Sequence, residues 1–277
     1  MKDFFTGEKT PGMIDWASMP TYNTIMSLVA GAGLIALVMF ARDLMRQQSA
    51  LASRPVAGAA DVEAGPRGEI APVEDGLSTD GWALTFGVLG LILSVTGLHM
   101  TLTWPLAAGG FAFDNIIFGE PSLAFGVLMG ALALYLWRRG DRITGSAQPV
   151  RMVARAARPL SVLIAGLGLA LLGIMFAGIV YQFFAAPPQE PISGAFADYP
   201  WLEAWALSLV FGLVGVGALL FPFAVRQLAA PTPAGTAATS GGAAKAAGWI
   251  WLITGVIFLL FGAMNFYTHI GLVVNTQ

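Results

Sequence analysis

The sequence predicts an all-α membrane protein, a six-transmembrane-helix bundle, and three observations carry that prediction. The 277 residues are 56% hydrophobic and only 11% charged, with a mean hydropathy of +0.72, too apolar for a water-soluble domain of this length. Six stretches approach or exceed the roughly 20 apolar residues that cross a hydrocarbon core: about 22–41, 82–104, 122–137, 160–184, 202–225 and 249–272. Cations are also segregated. Arg42, Arg46, Arg54, Arg67, Arg138, Arg139, Arg142, Arg151, Arg155, Arg158, Arg226 and Lys245 all fall in alternate connectors, and only Lys2 and Lys9 fall on the other side. The positive-inside bias then puts those connectors in the cytoplasm and both termini outside, in the cell membrane.

Taken in order, residues 1–21 form an extracytoplasmic tail with mixed charge and two prolines, without the basic start and apolar run of a cleavable signal. Trp16 and Tyr22 flank the first span, as interfacial aromatic rings do. The third span is short but bounded by Glu120–Pro121 and Arg138–Arg139. Pro121, Pro159 and Pro200 stand at span starts, where a missing N–H costs nothing. Pro222 lies inside the fifth span and is expected to kink it. The connectors 43–79 and 229–247 are rich in Ala, Gly, Pro, Ser and Thr, too poor in large apolar residues to offset ordering entropy, and are expected to be disordered. Residues 138–158 are basic and partly helical in pattern.

Sorting the spans by direction exposes a weak repeat. Inward-running spans read VAGAGLIALVMFAR (29–42), AFGVLMGALALYLWRR (124–139) and VFGLVGVGALLFPFAVR (210–226); outward-running ones share glycines seven apart, at Gly90/Gly97, Gly166/Gly173 and Gly255/Gly262. Three tandem helical hairpins, or ordinary small-residue packing of membrane helices, would each produce this pattern.

The polar groups gather at the extracytoplasmic side, which carries eight acids against two lysines. Its candidate ligand-binding residues are His99, Asp114, Asn115, Glu120, Asn265, Tyr267 and His269. The sharpest chemical reading pairs His99 with His269, the only histidines in the chain, around haem b or, with Met100 or Met264, copper, because imidazole and thioether suit copper. The plainer reading is that each is an interfacial histidine bonded locally. Glu120, Asp198 and Glu203 read as carboxylates at positive helix ends rather than as catalysts. No cysteine is present, which excludes disulfides and thiolate chemistry. There is no phosphate-binding glycine loop, HExxH motif, serine elbow or nucleic-acid patch.

At FDNIIFGEPSLAFGV (113–127) and GLHMTLTWPL (97–106) the chain resembles DUF981, a family of uncharacterised membrane proteins found in archaea and bacteria. That resemblance implies a multi-pass membrane protein and brings no activity and no catalytic residues. Three functions follow as expectations: a non-enzymatic accessory subunit or scaffold of a membrane complex, partnered by the bilayer and by other membrane subunits; a haem- or copper-handling redox protein; or a small-solute transporter, which needs a cavity reaching the bilayer midplane.

Overall fold

In the computed structural model, residues 2–16, 22–53, 76–103, 112–231, 237 and 239–277 are described. Among them there is no strand. Six helical stretches are long and apolar enough to cross a membrane. After a short α1 (Lys2–Thr6) come α2 (Asn23–Ala52), α3 (Thr79–Leu102) and α4 (Glu120–Thr144), the last preceded by a π-turn at Asn115–Gly119. An amphipathic α5 (Pro149–Ala157) runs through a 3-10 turn into α6 (Ser161–Tyr181), followed by α7 (Pro200–Leu228) and α8 (Gly242–Thr276).

Local sequence explains the boundaries. The Ser78 hydroxyl accepts a bond from Gly81 N at 3.2 Å, capping α3, and Asp80 sits in its first turn. Prolines occupy the first turns of α4, α5 and α7. Pro222 stands inside α7, six residues before its end.

Two stretches expected as disordered linker are partly helix. α2 runs on to Ala52, and α8 begins at Gly242 rather than near 249. The α2 extension is held by two buried glutamines: Gln47 Oε1 accepts from Leu77 N, and Gln48 Oε1 accepts from Val150 N, each at 3.2 Å. Each thereby satisfies a backbone donor at or before the start of another helix. The α8 extension reads GAAKAAG, and alanine is the strongest helix former. Residues 54–75, 232–236 and 238, most of the rest of the expected linkers, lie outside the described residues.

The helices pack as three close pairs: α3 with α4, α6 with α7, and α2 with α8. Two are hairpins; the third joins the first and last spans, so the hairpins are not strictly tandem, and the chain closes on itself. Glycine spacing explains two of the pairs in matching detail. A Cβ at Gly97 would lie 2.4 Å from Leu123 N, and one at Gly262 would lie 2.3 Å from Leu28 N. Three residues along, a Cβ at Gly126 meets Ser94 N at 2.5 Å and one at Gly31 meets Leu259 N at 2.3 Å. These are equivalent positions of the repeat, and only glycine permits such backbone approach. The third pair departs from it. Gly166 and Gly173 face open space, and α6 and α7 instead meet at Gly168 and Gly215, while Met175 fills the notch at Gly212.

Core packing follows from this arrangement. Met26, Phe40, Phe86, Leu93, Met100 and Met129 form one buried cluster among α2, α3 and α4. α3 seals the outside of that cluster and presents Leu84, Leu91, Val95 and Leu102 outward.

Candidate functional site

A cavity of about 780 Å³ runs between α2, α4, α5, α6, α7 and α8, and no residue of α3 lines it. Along α8 the lining extends from Ala244 to Leu272, roughly 40 Å of helix at the α-helical rise. The cavity has two chemically distinct ends. Arg42, Lys245 and Trp249 stand at one, the basic end, with the Arg42 guanidinium 5.7 Å from the centre of the Trp249 ring. Asn23, Asp114, Glu190, Glu203, Asn265 and His269 stand at the other, the acidic end.

Between them the wall is apolar and rich in aromatic rings. Phe184 stacks on Phe211 at 5.3 Å, Phe211 meets Phe258 edge-on at 5.4 Å, and Phe118 approaches both Phe184 and Phe211. These rings come from four different elements, and their edge and offset geometries are the favourable ones for quadrupoles.

At the acidic end α8 presents one stripe, with Phe258, Phe261, Asn265, His269 and Leu272 all lining the cavity at helical spacing. Both ring nitrogens of His269 are engaged. Nε2 lies 3.1 Å from the Asn23 side-chain amide. Nδ1 lies 3.3 Å from the Thr268 hydroxyl and 3.5 Å from Glu190 Oε1. Glu203 Oε2 accepts from Ala186 N at 2.7 Å and also receives the Ser193 hydroxyl. Glu190 is near enough to Glu203 for the two to repel. Asn265 is 3% exposed, and its Oδ1 has no partner; the Oδ1 of Asn23 has none either. A buried carbonyl without a donor costs desolvation energy of roughly 1–3 kcal/mol.

Glu190 is delivered by an unusual loop. Ile192 has φ of 66° and ψ of −67°, and Ser193 N donates to Pro191 O at 2.8 Å, which makes Ile192 the centre of a γ-turn in its rare, strained form. Pro191 packs on Gly271, where a Cβ would lie 2.3 Å from the proline ring. The turn points Glu190 at His269 on one side and Ser193 at Glu203 on the other.

The N-terminal tail lies over this loop. Ile192 N donates to Phe4 O, Glu8 N to Pro188 O, Thr10 N to Asn275 O and Gly12 N to Thr276 O, all between 2.6 and 3.0 Å. Asn275 Nδ2 reaches both Thr6 O and Gln189 O, at 2.5 and 2.8 Å. Ile14 and Trp16 then complete the cavity lining, with the Trp16 indole donating to the Thr276 hydroxyl at 3.0 Å.

Burial governs two acids outside the spans, Asp114 and Glu190. It raises the Asp114 carboxyl to about 7. It also pushes Glu190 upward, opposed by the bond from Thr268.

The candidate residues read from sequence divide sharply. Asp114, Glu120, Asn265 and His269 line one cavity. Asn115 is buried beside it and donates through Nδ2 to Met100 O, with its own Oδ1 unpartnered. Tyr267 is exposed and donates to Phe5 O at 2.7 Å, so it anchors the tail rather than a ligand. His99 is exposed on α3, its ring 5.5 Å from that of Tyr22, and it does not enter the cavity. Met100 is core. Met264 is half-buried and outside the lining. Among the described residues no group of three or more His, Asp or Glu is arranged to hold a metal ion. Residues 104–111, the middle of the stretch joining α3 to α4, lie outside the described residues.

Sequence reasoning set Glu203 aside as a helix-end acid and gave Asn23 and Glu190 no role. Glu203 stands in the first turn of α7, as expected of a helix-end acid, and its side chain also reaches across to the preceding loop. The signal for Glu190 was its position between prolines in PPQEPIS, a rigid frame.

Six apolar helical stretches, five of which line a cavity with a basic and an acidic end, define the class: an all-α bundle of membrane-spanning type. The chain belongs to DUF981, a family of proteins of unknown function, whose model matches residues 19–271. Curated proteins and solved structures give no match.

Proposed function

We propose that this DUF981 member is a non-enzymatic membrane protein that holds an amphipathic, membrane-derived molecule in its central cavity, as a binding or carrier subunit. The observation that supports this reading is the shape and chemistry of the cavity: elongated, apolar and aromatic along its wall, with Arg42 and Lys245 at one end and a cluster of acids and amides at the other. A hydrophilic solute would find no hydrogen-bond partners beside Phe118, Phe184, Phe211 and Phe258; a long-chain molecule would find a matching wall.

The polar cluster supports binding over chemistry. The Ser193 hydroxyl serves Glu203, and the His269 nitrogen that a nucleophile would need faces Asn23 instead, so serine and base are not paired. A metal or haem role would require His269 to give up Asn23 or Glu190, and His99 stands on a helix outside the cavity. With the cationic connectors on the cytoplasmic side, the acidic end faces out; reporter fusions at Gly58 and Gly235 then read as cytoplasmic, and extracytoplasmic activity at either overturns that orientation.

Native mass spectrometry of the gently solubilised protein tests the binding role. An amphiphile retained at one per chain, and displaced when Val214→Phe fills the cavity, is the expected result. A ligand-free protein that takes up no added amphiphile refutes it.

A further inference from the structure

The acidic end is rich in hydrogen-bond acceptors and poor in donors, and that imbalance names a ligand chemistry. Asn265 Oδ1 is sealed from solvent without a partner, on a side chain that lines the cavity. The unpartnered Oδ1 of Asn23 belongs to the same cavity. The same end carries the carboxyl groups of Glu190 and Glu203, which repel each other, and Glu190 Oε1 lies 3.5 Å from His269, one turn from Asn265 on α8. The cationic side chains of the lining, Arg42 and Lys245, are far off: Lys245 precedes His269 by 24 residues of continuous α8, roughly 36 Å of helix. An orphan carbonyl is satisfied only by a donor, and adjacent carboxylates are relieved by protonation or by a positive charge between them. A metal ion is the poorer fit, because no group of three or more His, Asp or Glu among the described residues is arranged to hold one.

We propose that the acidic end of the cavity binds the ammonium head of a long-chain amine, with Asn265 Oδ1 and the Glu190 carboxylate as acceptors and the chain lying along the phenylalanines. The –NH₃⁺ group supplies three donors and no acceptor, which matches what the cluster lacks. The proposal rests on the amphiphile reading above and adds the charge and donor character of the head group.

The test uses the full chain in lipid nanodiscs, with dodecylamine, dodecanol and dodecanoate as probes in competition against a fluorescent alkylamine. The expected result is saturable binding of one dodecylamine per chain, at least tenfold tighter than dodecanol, with dodecanoate weakest. Asn265→Leu and Glu190→Gln each weaken the amine at least tenfold and leave dodecanol within twofold; Asn265→Asp, which adds a negative charge at the same volume, tightens it. Equal affinity for amine and alcohol, unchanged in Asn265→Leu and Glu190→Gln, overturns the ammonium site while leaving the amphiphile cavity standing. No saturable binding of any of the three probes overturns both. Since Asn265→Asp is predicted to gain rather than lose binding, a variant that merely fails to fold does not imitate the expected pattern.

Discussion

α3 and α8 run in the same direction, carry glycines seven apart and hold a histidine in their C-terminal part, yet only α8 contributes to the cavity. Gly90 and Gly97 fix α3 against α4 by the same close approach that Gly255 and Gly262 give α8 against α2. What differs is the second face. α8 packs on α7 as well as on α2, and so turns Asn265 and His269 inward; α3 packs on α4 and α2 and leaves His99 exposed. Identical pairing chemistry therefore places a helix without giving it a role, and the role comes from what lies on the other side.

The most damaging way to probe this comparison is through the glycines. Gly97→Val and Gly262→Val each force a branched side chain against backbone nitrogen, and each is expected to lower stability by about 3 kcal/mol or more, read as loss of a monodisperse species or a large fall in Tm. Gly173→Val, in the matching position of α6, faces open space and is expected to change Tm little; equal damage there would mean that all three pairs use the same glycine register.

A smaller effect separates the histidines. His269→Ala strands the Asn23 amide and is expected to cost about 1–3 kcal/mol and to impair amphiphile binding at least tenfold. His99→Ala, removing one ring contact with Tyr22, is expected to cost less than about 1 kcal/mol and to leave binding alone. Matching losses in the two variants would contradict the inside/outside assignment.

Asp114 sharpens the comparison through pH. Its folded pKa of about 7 lies above the ordinary value of 3.8, so the folded protein holds the extra proton between those values. Stability then falls as pH rises through that window, by up to about 1.4 kcal/mol per pH unit, and is level beyond it. Asp114→Asn is expected to flatten that slope in thermal melts between pH 5 and 8; an unchanged slope would place the titration elsewhere.

Smallest is the tail. Tyr267→Phe removes one bond to Phe5 O, worth about 1 kcal/mol locally, and should speed proteolysis near residues 4–12 without lowering the global Tm. Asn275→Ala, which removes two bonds, should speed it further.

Much of the fold could be read from residues alone because apolar length and cation placement report directly on spanning helices. The repeat was visible in Gly31, Gly126, Gly90 and Gly262, whose spacing is a local property. Which helix of a pair faces inward was not, since α3 and α8 offer nearly the same pattern and the choice depends on a third helix. The site followed the same division. Asp114, Asn265 and His269 stood out as polar groups at apolar span ends, whereas Glu190 and Asn23 reach the cluster through the Ile192 γ-turn and the α2–α8 contact, one a backbone conformation and the other a pairing across 246 residues of chain. The expected disorder of residues 43–52 failed because Gln47 and Gln48 find backbone donors on other elements, which composition does not record.

The pairing of the first span with the last also sets a schedule. α2 leaves the ribosome long before α8, and about 220 residues separate the start of one from the start of the other; at roughly 5–20 residues per second, that is on the order of ten to forty-five seconds. During that interval Gly31 and Leu28 lie open to lipid or to a chaperone, and neither the Asn23–His269 bond nor the acidic end of the cavity exists. The acidic end of the cavity is complete only once α8 has been made, so a chain stopped short of α8 lacks both the Asn265–His269 stripe and the partner of α2.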